Sequence, residues 1–170
     1  MIKKSLLTLV LLALSANLYA IDDQMSKIKK SYKIDFNKET VGLMRNIKLY
    51  KNPSWPAMIT LKNGKKLYFC SPKSMIEFYN QPGLRPEVDV KSENDMAQVF
   101  VTDFNNLKTI NAKGAFFVYG ANIISPAGDD MIPFESYEHA QLFSKKHNGK
   151  RVMSFKEIPP ALIDLINGKI

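Results

Sequence analysis

The residues able to do chemistry are few and soft. The chain has one cysteine, Cys70, two histidines, His139 and His147, and eight methionines, of which Met1 belongs to the extreme N-terminus. Thiolate and thioether sulfurs suit Cu(I), whereas a structural zinc site needs four close Cys, His or acidic ligands. No CxxC pair, HxxxH pair or paired carboxylate motif is present. Cys70 follows an apolar strand and precedes a helix start, a position that lowers a thiol's pKa when the sulfur is exposed. A lone cysteine between Phe69 and an apolar helix face also fits a small buried hydrophobe, and both readings stand. Met44 and Met131 border loops and can face a cleft, Met58 lies within a strand, and Met75 and Met153 read as core. His139 falls early in a helix, at its exposed side or rim, and His147 at a helix end where positive charge is favoured. No base and orienting group accompany a serine or the cysteine, so nucleophilic catalysis is not indicated.

The elements that position these groups follow from pattern. Residues 46–50 and 57–61 read as strands. Asn63-Gly64 then turns the chain, and residues 66–69 return antiparallel to 57–61. Ser71 caps a helix whose first position is Pro72. Met75, Ile76, Phe78 and Tyr79 give that helix one apolar side, and Gln81-Pro82-Gly83 ends it. Residues 82–95 form a polar loop, the expected boundary between halves. Strands follow at 98–102 and 115–119, with a return at 108–111. After a Gly/Pro/Asp loop, Ser136 caps a second helix that buries Ala140, Phe143 and Leu142. A strand at 151–155 and a short helix at 161–166 close the chain. Phe69 and Phe78 are nine residues apart, as are Phe134 and Phe143, and Ser71 and Ser136 share the same offset of 65. That recurrence predicts a duplicated unit.

Residues 1–20 read as a cleaved export signal: Lys3 and Lys4, an apolar run from Leu6 to Leu14, and Leu18-Tyr19-Ala20 at the cut. The apolar run is short for a membrane span, which predicts a soluble periplasmic protein. Loss of the two lysines lowers the formal net charge from +8 to +6. Residues 21–40 read as a basic arm able to meet a membrane or partner. Export argues against nucleic acid, and a single cysteine excludes an intramolecular disulfide.

The chain resembles the nitrous-oxide reductase accessory protein (NosL) family. The resemblance runs from Gly42 nearly to Ile158. It rests on Trp55-Pro56-Ala57-Met58-Ile59, Asn63-Gly64-Lys65, Phe69-Cys70-Ser71-Pro72-Lys73-Ser74-Met75, Val101-Thr102-Asp103, Ser125-Pro126-Ala127-Gly128, Ile132-Pro133-Phe134, His139-Ala140 and Gly149-Lys150-Arg151-Val152. It implies an α+β fold of two ββαβ-type repeats with separate small sheets, similar to an organomercurial lyase. The implied domain spans 41–170, with repeat one at about 41–92, repeat two at about 96–158 and a tail at 159–170. It implies a non-enzymatic copper-binding factor that delivers or presents Cu(I) to a copper enzyme or its maturation complex, with an inner-membrane partner. The candidate metal residues of this chain are Cys70, which can supply a thiolate, Met44 and Met131, which can compensate for the family's missing ligands, and Met58 and His139. The family's Cys-Gly-Met signature stands here as Val41-Gly42-Leu43-Met44, its Pro-Met-Gly as Pro126-Ala127-Gly128, and its lipid-anchoring cysteine is missing. These departures leave open a second expectation, a metal-free binding or scaffold protein within a respiratory maturation complex.

Overall fold

Local sequence builds the first hairpin. In the computed structural model, which describes Leu18, Tyr19, Ile21 and residues 33–170, strand β1 (Ala57–Leu61) turns into β2 (Lys66–Phe69). Ala57 pairs with Phe69 and Met58 with Tyr68. The turn takes a positive φ of 85° at Gly64 alone, with Gly64 N–H donating to the Leu61 carbonyl. It is therefore a type I turn with a left-handed glycine, not a tight Asn-Gly turn with both residues left-handed. The expected signal and most of the basic arm lie outside the described residues.

Helix α1 (Pro72–Asn80) follows at once, with the Ser74 amide donating to the Ser71 hydroxyl. Three short 3-10 turns, at Pro82–Leu84, Pro86–Val88 and Glu93–Asp95, lead to β3 (Met96–Thr102). β3 returns antiparallel along the free side of β1, placing Val101 opposite Ala57, and β4 (Thr109–Asn111) adds outside it. The second half repeats this path: β5 (Phe116–Tyr119), β6 (Met131–Phe134), helix α2 (Tyr137–Lys146) and β7 (Arg151–Ser154). The sheets run β2-β1-β3-β4 and β6-β5-β7. In each ββαβ unit the first strand is central and the second and last flank it. Helix α3 (Pro160–Ile166) closes the chain.

Alternation along the strands sorts the core. Ala57, Ile59 and Leu61 join Phe69, Met75, Phe78, Val99 and Val101 in one cluster, which extends to Phe117, Met131 and Met153 of the second sheet. The opposite side of the second sheet buries Val118, Ile132 and Phe134 with Ala140 of α2. α1 packs on β1, β2 and β6, so it is the joint between the repeats, while α2 covers β5, β6 and β7. Burial of each large side chain contributes about 1.5–3 kcal/mol. The repeated aromatic spacing becomes a repeated contact: the Phe69 and Phe78 rings lie 5.6 Å apart, and those of Phe134 and Phe143 4.9 Å.

Three expectations differ from the fold. Residues 46–50 form no strand: Lys48 makes a single bridge to Val41, and Leu49–Lys51 is a 3-10 turn. Asn46, at φ 52°, breaks the extended run that alternation implies. The boundary at 92–96 precedes a strand of the first sheet, because β3 hydrogen-bonds to β1. Leu142 is 59% exposed, on the side of α2 away from its sheet.

Candidate functional site

The first turn of α1 and the residues just before it gather three distant segments: 42–45, 125–131 and the C-terminal residues. Cys70 lies just before its cap and is 2% exposed. Its thiol stands 3.9 Å from the Ser74 hydroxyl. Burial pushes its pKa up, the Asp130 charge adds to this, and the Ser74 hydrogen bond and Arg45 oppose it. At neutral pH the sulfur is a thiol.

Residues 42–45 run along the end of β2 beside Cys70. The Leu43 amide donates to the Tyr68 carbonyl at 2.7 Å, and the Gly42 amide to the Ile47 carbonyl at 2.9 Å. The diverged Val41-Gly42-Leu43-Met44 signature and the only thiol therefore share one corner. Met44 is half-buried at the edge of the main core, and its carbonyl accepts from Arg85 at 2.9 Å.

On the other side of α1 lies a buried polar knot. Asp130 accepts from the Lys73 amide at 2.6 Å, the Ser125 hydroxyl at 2.6 Å and the Met131 amide at 2.8 Å, and it also hydrogen-bonds with Ser71. Burial raises its pKa, and these donors pull it back. The Lys73 ammonium, pulled down in pKa by burial, donates to the carbonyls of Ala127 at 2.7 Å and Ile166 at 3.0 Å. The Pro126-Ala127-Gly128 loop is thus pinned to the same helix turn as Cys70. One turn later, the 3%-exposed Glu77 pairs with Arg45 at 2.8 Å and Lys169 at 2.9 Å.

The sequence-derived ligands divide over the molecule. The Met44 segment and Cys70 come together. Met131 is fully buried in the core shared by the sheets. Met58 is also fully buried, but strand alternation turns it away from α1, where it packs with Ile34 and Phe100. His139 is exposed on α2. It lines a separate cavity of about 340 Å³ with Phe104, Phe134, Phe143 and His147, whose imidazole stacks on Phe143 at 4.2 Å. Met58 and His139 therefore do not share the Cys70 corner. Among the described residues, no three His, Cys, Asp or Glu side chains cluster so as to hold a metal. Sequence reasoning missed Asp130, Glu77, Arg45 and Lys169, each of which has at least one partner distant in the chain that follows no local pattern.

The family described as NosL matches residues 33–163. The fold is similar to the crystal structure of the copper chaperone NosL from Shewanella denitrificans, with a TM-score of 0.63, 20% identity, and coverage of 76% of this chain and 98% of that one. The solution structure of the apo-NosL protein from Achromobacter cycloclastes also matches, with a TM-score of 0.46, 21% identity, and coverage of 63% and 87%. No curated protein matches the sequence.

Proposed function

Because the chain belongs to the NosL family, we propose that it is an exported copper accessory protein that catalyses nothing and carries Cu(I) as cargo. The carrying observation is the seating of the 42–45 segment on β2 beside Cys70, through the Leu43–Tyr68 hydrogen bond of 2.7 Å. The Cys70 sulfur and the Met44 thioether are the donors this corner offers, and both are soft. Capture replaces the thiol proton by the metal, so loading releases a proton. With Val41 and Ala127 in place of the family's cysteine and methionine, fewer sulfurs hold the ion, which favours onward ligand exchange. Met131 joins only if the core beside β6 opens. Met58 and His139 take no part.

The recipient in this reading is nitrous-oxide reductase, a related copper enzyme or its maturation complex, met in the periplasm at the inner-membrane surface. The support is the family membership and the formal charge of +6 left once residues 1–20 are removed, which suits an anionic surface.

The second reading, a metal-free scaffold, is favoured by Lys73. Its ammonium sits on the Ala127 carbonyl at 2.7 Å, where a cation approaching residue 127 meets like charge. Competition titration of the chain lacking residues 1–20 against a Cu(I) chelator separates the two. Wild type should take one Cu(I), and Cys70→Ser/Met44→Leu should bind it at least about tenfold more weakly, a difference of roughly 1.4 kcal/mol. Equal affinities would remove the corner as the site. Undiminished capture of the recipient enzyme by metal-free protein would favour the scaffold.

A further inference from the structure

Ser74 of α1 stands 3.9 Å from the Cys70 thiol, and Glu77 follows Ser74 three residues on, along the same side of the helix. Both oxygens of the buried Glu77 carboxylate are taken by cations from remote segments: Oε2 by Arg45 at 2.8 Å and Oε1 by Lys169 at 2.9 Å. Arg45 is the last residue of the segment seated beside Cys70, and it also donates to the Asn167 amide oxygen at 2.8 Å. The C-terminal residues are tied to α1 a second time, by Lys73 on the Ile166 carbonyl at 3.0 Å. Lys169 is held in place by Asp164 at 3.2 Å. The tie residues Asp164, Ile166, Asn167 and Lys169 all lie past residue 163, where the family match ends.

We propose that Glu77 is a positioning residue. It clasps the 42–45 segment with one oxygen and the C-terminal residues 164–169 with the other, and release of this clasp opens Cys70. A carboxylate at 3% exposure with two charge-assisted bonds is a strong local fastener, because lifting either cation away leaves its buried charge short of a partner. Beyond the clasp, the 42–45 segment is held by a few backbone bonds, by Arg85 on the Met44 carbonyl and by the partly buried Leu43 and Met44 at the core edge, and no strand pairing has to break for it to lift. The cargo admitted rests on the copper reading above, but access to the thiol does not.

The test uses metal-free protein lacking residues 1–20 and measures the rate of Cys70 labelling by a small maleimide under native conditions. Urea unfolding of each variant serves as the reference. Local opening exposes the thiol without global unfolding, so Glu77→Gln should speed labelling at least about tenfold beyond what its loss of global stability accounts for. Arg45→Met and Lys169→Met should each give a smaller increase, and together they should match Glu77→Gln rather than add to it. Arg45→Lys should restore part of the protection. Labelling that rises only in proportion to lost stability overturns the proposal, as do wild-type rates in both cation variants. Should Glu77→Gln not fold, Lys169→Met, at a side chain 41% exposed, carries the same test. A failed copper titration leaves the labelling result standing, and the converse also holds.

Discussion

Gly42 lies so close to Cys70 that a β-carbon on Gly42 would stand 2.7 Å from the Cys70 backbone nitrogen and 3.2 Å from its Cβ. The obstructing nitrogen belongs to the main chain between a paired strand and a capped helix, and it has no freedom to yield. Gly42→Ala must therefore lift the 42–45 segment and strain the Leu43–Tyr68 bond. Overpacking of this kind costs about 1–3 kcal/mol. Urea unfolding should show that loss, and Cys70 should label faster. An unchanged midpoint would mean that the segment tolerates a methyl group.

The buried thiol makes stability fall at alkaline pH. Burial raises the folded pKa of Cys70 above 9.0, the value for the free side chain. Above that pH the unfolded chain has lost a proton that the folded chain keeps. The unfolded state then binds fewer protons, and stability declines from 9.0 up to the folded pKa, while below 9.0 the contribution is fully present. Wild type should lose stability more steeply than Cys70→Ser as pH rises past 9.0. Parallel slopes would show an exposed thiol. Below the folded pKa, Cu(I) affinity should rise with pH by up to about tenfold per unit, because a proton leaves as the metal enters.

Position decides which sulfurs and imidazoles matter. Met58→Leu and His139→Gln should leave Cu(I) affinity unchanged, since Met58 faces Ile34 and Phe100 and His139 sits on α2. Met58→Leu keeps volume and should cost under about 1.5 kcal/mol. A drop in copper affinity in either variant, with stability retained, would move the site away from Cys70.

The sequence carried the repeat because its signals are local. Ser71 and Ser136 cap helices through the amides three residues on, at 3.3 and 3.2 Å. Phe69–Phe78 and Phe134–Phe143 are the strand-to-helix contacts that a spacing of nine implies. The side on which Met58 packs, with Ile34 and Phe100, is not legible in the sequence, because residue type does not tell which side of a strand faces the joint helix. The clasp was invisible for a different reason. Glu77 meets Arg45 32 residues before it and Lys169 far beyond the last strand, and no periodicity links such positions. The Cys70 corner was legible as a place in the fold, but its burial depends on Gly42, whose value lies in the side chain it lacks.

Asp103, within the family-like Val101-Thr102-Asp103, fastens the two repeats far from Cys70. It is fully buried. Its Oδ1 accepts from the amides of Asn105 at 2.7 Å and Asn106 at 3.1 Å, closing the β3–β4 turn. Its Oδ2 accepts from the Glu135 amide at 2.7 Å, just past β6, where the Phe104 amide also reaches the Pro133 carbonyl at 2.9 Å. One carboxylate therefore joins a turn of the first sheet to an edge strand of the second. Asp103→Ala leaves three amides without this acceptor, and each buried donor left unpaired costs about 1–3 kcal/mol. Water can reach the Asn105 and Asn106 amides at the exposed turn, so the Glu135 amide should dominate the loss. The urea midpoint should fall with an unchanged m-value, and the Glu135 amide should exchange faster than those of β1. Cys70 labelling should rise only as far as the global stability falls, because the 42–45 segment and its Glu77 clasp do not touch Asp103. Faster labelling than that would show the two fastenings to be coupled through α1.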